Sequence, residues 1–457
     1  MPSFHQSIAS WQATTFRWFT CLMALLLAFP AAADTSEPAA PVHNRPKPTM
    51  AEFIGLNVHT VQFKPDLYAP VCKRLRDYHP LRWDFNNDLS KLTTFPMTTN
   101  GVDWQQLYGS WTKAGFDIDA CILFDDVPPE QWKDKAADAR SYGEAFARYF
   151  GPSGEHKLTS AMEIGNEPAK YDDAQYRVLF EAMARGVRAG DPKLKIATCA
   201  VMTEKTDAWS KPLSAIAGLE QWYDVLNIHS YPFKDKWPTW RRSYPEDASI
   251  PYLKAIEDLS RWRDTHAPAK ELWLTEFGYD SATSPPAADG PWKQWVGVND
   301  LEQARYIVRS FLVLSSMNVD RAYLYFFNDK DEAQLHGASG ITRNFQPKPS
   351  YYAVSYLNKS LGEYRFNRAI SRKDGELYCF EYQHRDHPRD RIFVAWLASG
   401  EDQSKQYTLP LGAASAGIYR AERMPASIGA AAGVPWKTVP DGIEVQIGAV
   451  PVFLWSH

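Results

Sequence analysis

Cysteine is scarce, with five in 457 residues, and none of them falls in the Cys/His spacing of a metal site. Cys21 lies in an N-terminal apolar stretch. Cys72, Cys121, Cys199 and Cys379 remain, and export would permit them to pair. Yet Cys121 and Cys199 fall on the third and fifth strands of the pattern below, which are not neighbours, and bridging needs Cα atoms within roughly 7 Å. Free buried thiols are expected, and neither a metal nor a cofactor. Charge of one sign is also lacking: 50 Lys and Arg face 54 Asp and Glu, a net −4, so no nucleic-acid partner is expected. Nor does any apolar run reach the 20 or so residues of a comfortable membrane span.

The longest apolar run, Trp18 to Phe29, follows Arg17 and ends in Pro30-Ala31-Ala32-Ala33 before Asp34. That is the layout of an export signal with an Ala-x-Ala cleavage site. Residues 1–33 therefore read as a signal peptide, with an uncleaved inner-membrane anchor as the alternative. Residues 34–48, rich in Pro and Ala, read as a flexible spacer. The folded part is expected in the periplasm or outside the cell, or held on the outer side of the inner membrane.

Aromatic residues are abundant: 17 Trp, 23 Tyr and 23 Phe. Many must be core, though rings also serve as platforms for the C–H faces of sugars. Strand and helix signals alternate through residues 49–362, which predicts parallel βα units closing into a (β/α)₈ TIM barrel. Strand two is expected at Pro80–Asp84 after a helix near 66–78, and strand eight at Ala322–Asn328. Residues 363–457 switch to short alternating runs, which predicts an additional antiparallel β-sandwich domain.

Two glutamates end barrel strands. Glu167 closes Ala161-Met162-Glu163-Ile164-Gly165-Asn166-Glu167-Pro168, and Glu276 closes Leu272-Trp273-Leu274-Thr275-Glu276-Phe277-Gly278. Each is expected at the C-terminal mouth, where such barrels keep their chemistry. Two carboxyls across one glycosidic bond can supply an acid and a nucleophile.

Asn-Glu-Pro after strand four and Thr-Glu-Phe-Gly at strand seven resemble the clan of barrel glycoside hydrolases. The likeness is nearest to family 39, including members that process bacterial exopolysaccharide. It implies Glu167 as acid/base, Glu276 as nucleophile and Asn166 on the sugar 2-hydroxyl. It further implies Arg82 as the cation that keeps Glu276 ionised, Tyr231 bonded to Glu276, and His229 in the acid/base network or on the sugar. Further rim candidates are Asn57, His59, Trp83, Asp84, Asp125 and Asp126, with Phe327 where the clan usually has a Trp. Trp237, Trp240, Trp292 and Trp295 sit in long loops and suggest an extended cleft. The expected activity is a retaining β-glycoside hydrolase acting within a bacterial exopolysaccharide. An exo-β-xylosidase-like trimming enzyme and a non-catalytic polysaccharide-binding protein are the alternatives.

Overall fold

The computed structural model describes residues 45–457 apart from 61, 86–87, 92, 126, 205–208 and 430. The export segment, most of the spacer and Asp126 lie outside the described residues. Among the described residues, no helix is long and apolar enough to cross a membrane.

Eight parallel strands form the barrel: β1 Ile54–Val58, β2 Arg74–Pro80, β3 Asp117–Leu123 and β4 Ala161–Ile164, then β5 Lys195–Met202, β6 Val225–His229, β7 Glu271–Phe277 and β8 Arg321–Leu324. They run in the order β4-β3-β2-β1-β8-β7-β6-β5, and pairing of β4 with β5 closes the ring. Helices wrap the outside. Asp172 with Gln175, and Asn299 with Glu302, form capping boxes that start Asp173–Gly190 and Asp300–Ser316, each satisfying two otherwise unpaired N–H groups. Tyr176, Leu179, Phe180, Met183 and Val187 make one buried stripe on the first of these, at helical spacing.

The barrel's filling is unusual in its polarity. The lower layer is Ala161, Ala197, Val225, Trp273 and Tyr323. Above it lie Asn57, Arg76, Glu163, Asn227 and Thr275, all fully buried. Burying such groups is costly unless each finds a partner, so this layer is held together by the bonds described below. Asp119 is buried with neither carboxyl oxygen hydrogen-bonded, and burial lifts its pKa to about 8.

Strand two departs from expectation. Residues 65–68 form one helical turn, the strand is Arg74–Pro80, and Leu81–Asp84 is a 3₁₀ turn. Arg76 and Tyr78 reach Glu276 inside the barrel, whereas Asp77 and His79 bond Tyr108 on the helix outside. With polar groups on both faces, the usual apolar alternation of a strand is absent. Strand eight is likewise shorter than expected, ending at Leu324.

After the helix Pro349–Leu361, the chain builds two antiparallel sheets. One runs Tyr364–Arg372, Leu377–His384, Arg391–Leu397, Val452–Ser456, Ile418–Arg423 and Ala432–Gly433. The other runs Ser404–Leu409, Gly442–Gly448 and Trp436–Val439. Cys379, Phe393, Ala395, Leu409, Ile443, Val445 and Leu454 share the core between them. Alternate residues Phe380, Tyr382, Val394 and Trp396 join the barrel's core cluster instead. Glu246 ties the two parts together, accepting from Arg309 Nε at 2.9 Å and from Trp396 Nε1 at 2.6 Å. All four sequence cysteines in the described residues are free and buried.

Candidate active site

Glu167 follows β4 through Gly165, whose φ of +87° L-residues rarely adopt and whose Cβ position lies 2.9 Å from the Phe124 ring. Only glycine fits there without strain, and it turns the chain so that Asn166 and Glu167 face the barrel mouth. Glu276 comes from β7. A register irregularity against β6 sets it beside His229.

The two carboxyls have unlike surroundings. Glu276 accepts from Arg76 Nη1 at 3.0 Å, Tyr78 Oη at 2.6 Å and Tyr231 Oη at 2.8 Å. Its burial would raise the pKa, but the charges of His229 and Arg76 and the two tyrosine hydroxyls outweigh that and hold it well below the ordinary range. Glu167 is more open, its side chain 28% accessible against 8% for Glu276. Its Oε1 lies 2.8 Å from His229 Nδ1.

The proton on His229 can be placed from its neighbours. Thr275 gives its hydroxyl hydrogen to Asn227 Oδ1, so Thr275 Oγ1 accepts from His229 Nε2 at 3.0 Å. Arg76 Nη2, a donor, lies farther from Nε2 at 3.5 Å, so the closer Thr275 bond places a proton on Nε2, and a second one lies on the bond between Nδ1 and Glu167. Burial lowers the His229 pKa, yet Glu276 and Glu167 together raise it above its ordinary value. One carboxylate is thus kept ionised, and the other shares a proton with an imidazole.

Arg76 sits where Arg82 was expected. It donates to Glu163 through Nε at 2.8 Å and Nη2 at 2.6 Å, to Asn57 Oδ1 at 2.8 Å and to Asn166 Oδ1 at 2.8 Å, besides Glu276. Arg82 lies on the 3₁₀ turn, where its Nη2 donates to Gln131. Asp84 is buried among His79, Trp104 and Tyr142, and Trp83 stacks on Trp104; both follow from the displaced strand and lie away from the carboxyls. Asn57 is buried beneath the mouth, donating to the Thr275 and Leu324 carbonyls. Phe327 packs edge-on against Tyr68 in the core; with β8 ending earlier, Tyr325 faces the mouth instead. Of the four loop tryptophans, Trp295 is buried and Trp240 packs on Phe233, while Trp237 is exposed and meets Trp292 at 5.9 Å.

A cavity of about 320 Å³ opens over the pair, lined by His59, Tyr78, Leu123, Asn166, Glu167, Glu276, Tyr325 and His336. Tyr78, Tyr325 and His336 were not anticipated. Tyr78 lies on the strand whose two polar faces give no alternation to read, and His336 lies in a loop with no periodic signal. One ligand atom each from Glu167, His229 and Glu276 lie within 4.8 Å of one another, close enough to ligate a metal. A metal would have to displace the donors already on Glu276 and the His229–Glu167 bond.

The fold and mouth define a (β/α)₈ barrel with a carboxyl pair at its C-terminal rim and an appended β-sandwich. Neither the protein-family models nor the curated sequences yield a match. Among solved structures, a family 39 glycoside hydrolase from Bacteroides cellulosilyticus WH2 is similar at TM-score 0.65 and 16% identity, covering 90% of this chain and 81% of that one. A glucosidase from Croceicoccus marinus matches at TM-score 0.61 and 14% identity, over 90% and 97%. A family 51 α-L-arabinofuranosidase from Bifidobacterium longum matches at 0.59 and 12%, over 90% and 97%. At these identities the likeness is one of fold.

Proposed function

We propose that this protein is a retaining β-glycoside hydrolase in which Glu276 is the nucleophile and Glu167 the acid/base. The observation that carries the reading is the unlike pair: an ionised, triply bonded Glu276 with an oxygen within 4.8 Å of one on the more open, proton-sharing Glu167. Retaining enzymes hold their carboxyls about 5–5.5 Å apart, and inverting ones leave room for water between them.

In this mechanism a Glu276 oxygen attacks the anomeric carbon while the bond to the leaving oxygen breaks. Glu167 delivers its proton to that oxygen, and a covalent glycosyl intermediate remains. Water then gives a proton back to Glu167, its oxygen takes the anomeric carbon, and Glu276 leaves as carboxylate. His229 holds Glu167 in place and shares its proton. Asn166 spends Oδ1 on Arg76, leaving its amide N–H to a sugar hydroxyl.

The substrate we propose is a bacterial exopolysaccharide cut internally, met outside the inner membrane after export of the chain. The exposed Trp237 with Trp292 supports a platform for a longer saccharide. The alternative, xylosidase-like trimming from a chain end, is favoured by the cavity itself. Its volume of about 320 Å³ sits at the lower end for small-ligand sites. Early products decide between them: oligosaccharides from internal cutting, monosaccharide from trimming. A purely binding role gives no reason for a buried, fully donated carboxylate.

Glu276→Gln should abolish turnover of every glycoside while leaving the melt cooperative. Glu167→Gln should lose most on poor leaving groups and least on activated aryl glycosides, which need little protonation. Equal losses on both substrate types would remove the acid role, and normal turnover by Glu276→Gln the whole mechanism.

A further inference from the structure

Beside the carboxyl pair stands a second group of side chains that the mechanism above does not use. His336 lines the cavity together with Glu276 and Tyr325. Its backbone is left-handed, with φ +62°, and its N–H donates to Asp280 Oδ2 at 3.2 Å. Such a conformation in a non-glycine residue persists where the surroundings fix it. Asp280 Oδ2 also pairs with Arg242 Nη2 at 2.9 Å, and Ser339 Oγ donates to Asp280 Oδ1. Arg242 is buried, its guanidinium 4.8 Å from the centre of the Tyr231 ring and 5.2 Å from that of Phe233. The imidazole rests edge-on against Tyr231 at 4.8 Å and Tyr325 at 5.2 Å.

Arg242 Nη2 lies 3.3 Å from His336 Nδ1. A guanidinium can only donate, so Nδ1 must accept. The ring proton then sits on Nε2, which bonds to no group among the described residues. Burial, joined by the nearby Arg242 charge, lowers the His336 pKa to about 4, consistent with a neutral ring. Four charged groups surround it: Arg242 and Asp280, paired with each other, and Glu276 and His229, of which Glu276 also meets Arg76.

We infer that His336, oriented by Arg242 and Asp280, is a specificity-determining residue whose neutral Nε2–H donates to a hydroxyl or ring oxygen of an uncharged sugar seated against Glu276. An uncharged donor in a balanced setting suits a neutral oxygen. A uronate carboxylate would bring a second anion beside Glu276, where Arg76 already meets Glu163 and Glu276 and Arg242 already meets Asp280. The inference takes its ligand class from the hydrolase reading, but its geometry stands without it.

The test uses His336→Gln, which keeps an N–H donor, and His336→Phe, which keeps the ring shape and loses the donor. On neutral aryl glycosides, His336→Phe should lose about 10- to 100-fold in kcat/KM, the range of one hydrogen bond left unmade in a closed site. His336→Gln should restore most of it, and the pH profile should keep its shape. Equal activity in His336→Phe and the parent protein would overturn the inference, as would faster cleavage of aryl uronides than of their neutral counterparts. Separately, ¹⁵N NMR of the parent protein should show His336 as the neutral Nε2–H tautomer from pH 5.5 to 8. Titration with xylose, glucose, galactose and mannose should move that signal. A charged ring in that range, or a signal that none of the four moves, also sinks the inference. Signal movement without turnover of any glycoside would instead sink the hydrolase reading and leave the recognition role standing.

Discussion

Arg76 binds more of the site than any other side chain: two carboxylates, two asparagine oxygens and, at 3.2 Å, the Cys121 sulfur. Removing one partner of a buried ion pair strands the other, at about 3–5 kcal/mol. Arg76→Met should therefore lower the unfolding free energy by about that much and end catalysis, as urea melts and rate assays would record. Arg82→Met should keep full activity, because Arg82 sits on the 3₁₀ turn and not among the residues that line the cavity. The titrations of the neighbouring groups carry a sign that can also be checked. Glu276, depressed below its ordinary 4.5, adds stability above that pH and loses it as pH falls through its folded value. His229, raised above its ordinary 6.5, adds stability below that pH and loses it as pH rises through its folded value. The two contributions coexist between the two ordinary values. Urea midpoints of the parent protein and Glu276→Gln should approach each other below pH 4.5, and those of the parent and His229→Gln above pH 6.5. Midpoint differences that ignore pH would mean the site is not coupled to folding in this way.

Among the elements, the turn after β4 is the one that local geometry controls most tightly. Alanine at Gly165 meets both the positive φ and the Phe124 ring 2.9 Å away. Gly165→Ala should cost about 1–3 kcal/mol and depress turnover further by tilting Asn166 and Glu167; unchanged kcat in a folded variant would show that the turn does not set the acid. Elements with an apolar face could be read from sequence. Strands four and seven end in a Gly or in Glu-Phe-Gly after apolar runs, and both glutamates fall where those runs predict. Strand two could not be read that way. Its inward face holds Arg76 and Tyr78 and its outward face Asp77 and His79, so hydrophobic periodicity, which reports burial of apolar groups, is silent there. The misplaced strand moved the expected cation from Arg76 to Arg82 and made rim candidates of Trp83 and Asp84. Strand eight failed for a different reason. Phe326 and Phe327 continue the apolar run past the last ladder bond, so the expected platform fell on Phe327 rather than on Tyr325. His336 and Arg242 lie in loops and meet only through tertiary packing, which no local pattern records.

For the whole molecule, the seam between barrel and sandwich is polar at its centre and apolar around it. Glu246 and Arg309 are fully buried together, with Trp396 donating from the sandwich, and Arg309 Nη1 and Arg305 Nη2 reach the Ser399 and Gly400 carbonyls. Arg309→Ala leaves Glu246 uncompensated and should cost about 3–5 kcal/mol; calorimetry should still show one transition, because the apolar contacts across the seam remain. A split into two transitions would mean that the ion pair alone couples the two parts. The same accounting of buried charge applies at the barrel's centre. Arg76 faces two anions, and during the proposed reaction one of them, Glu276, becomes a neutral ester for as long as the sugar is attached. Glu163, gripped through two nitrogens and fully buried, is a standing counter-ion that the proposed chemistry never consumes. The fold is thereby spared a stranded cation at mid-cycle, and the guanidinium stays aligned to receive the carboxylate when the ester is broken.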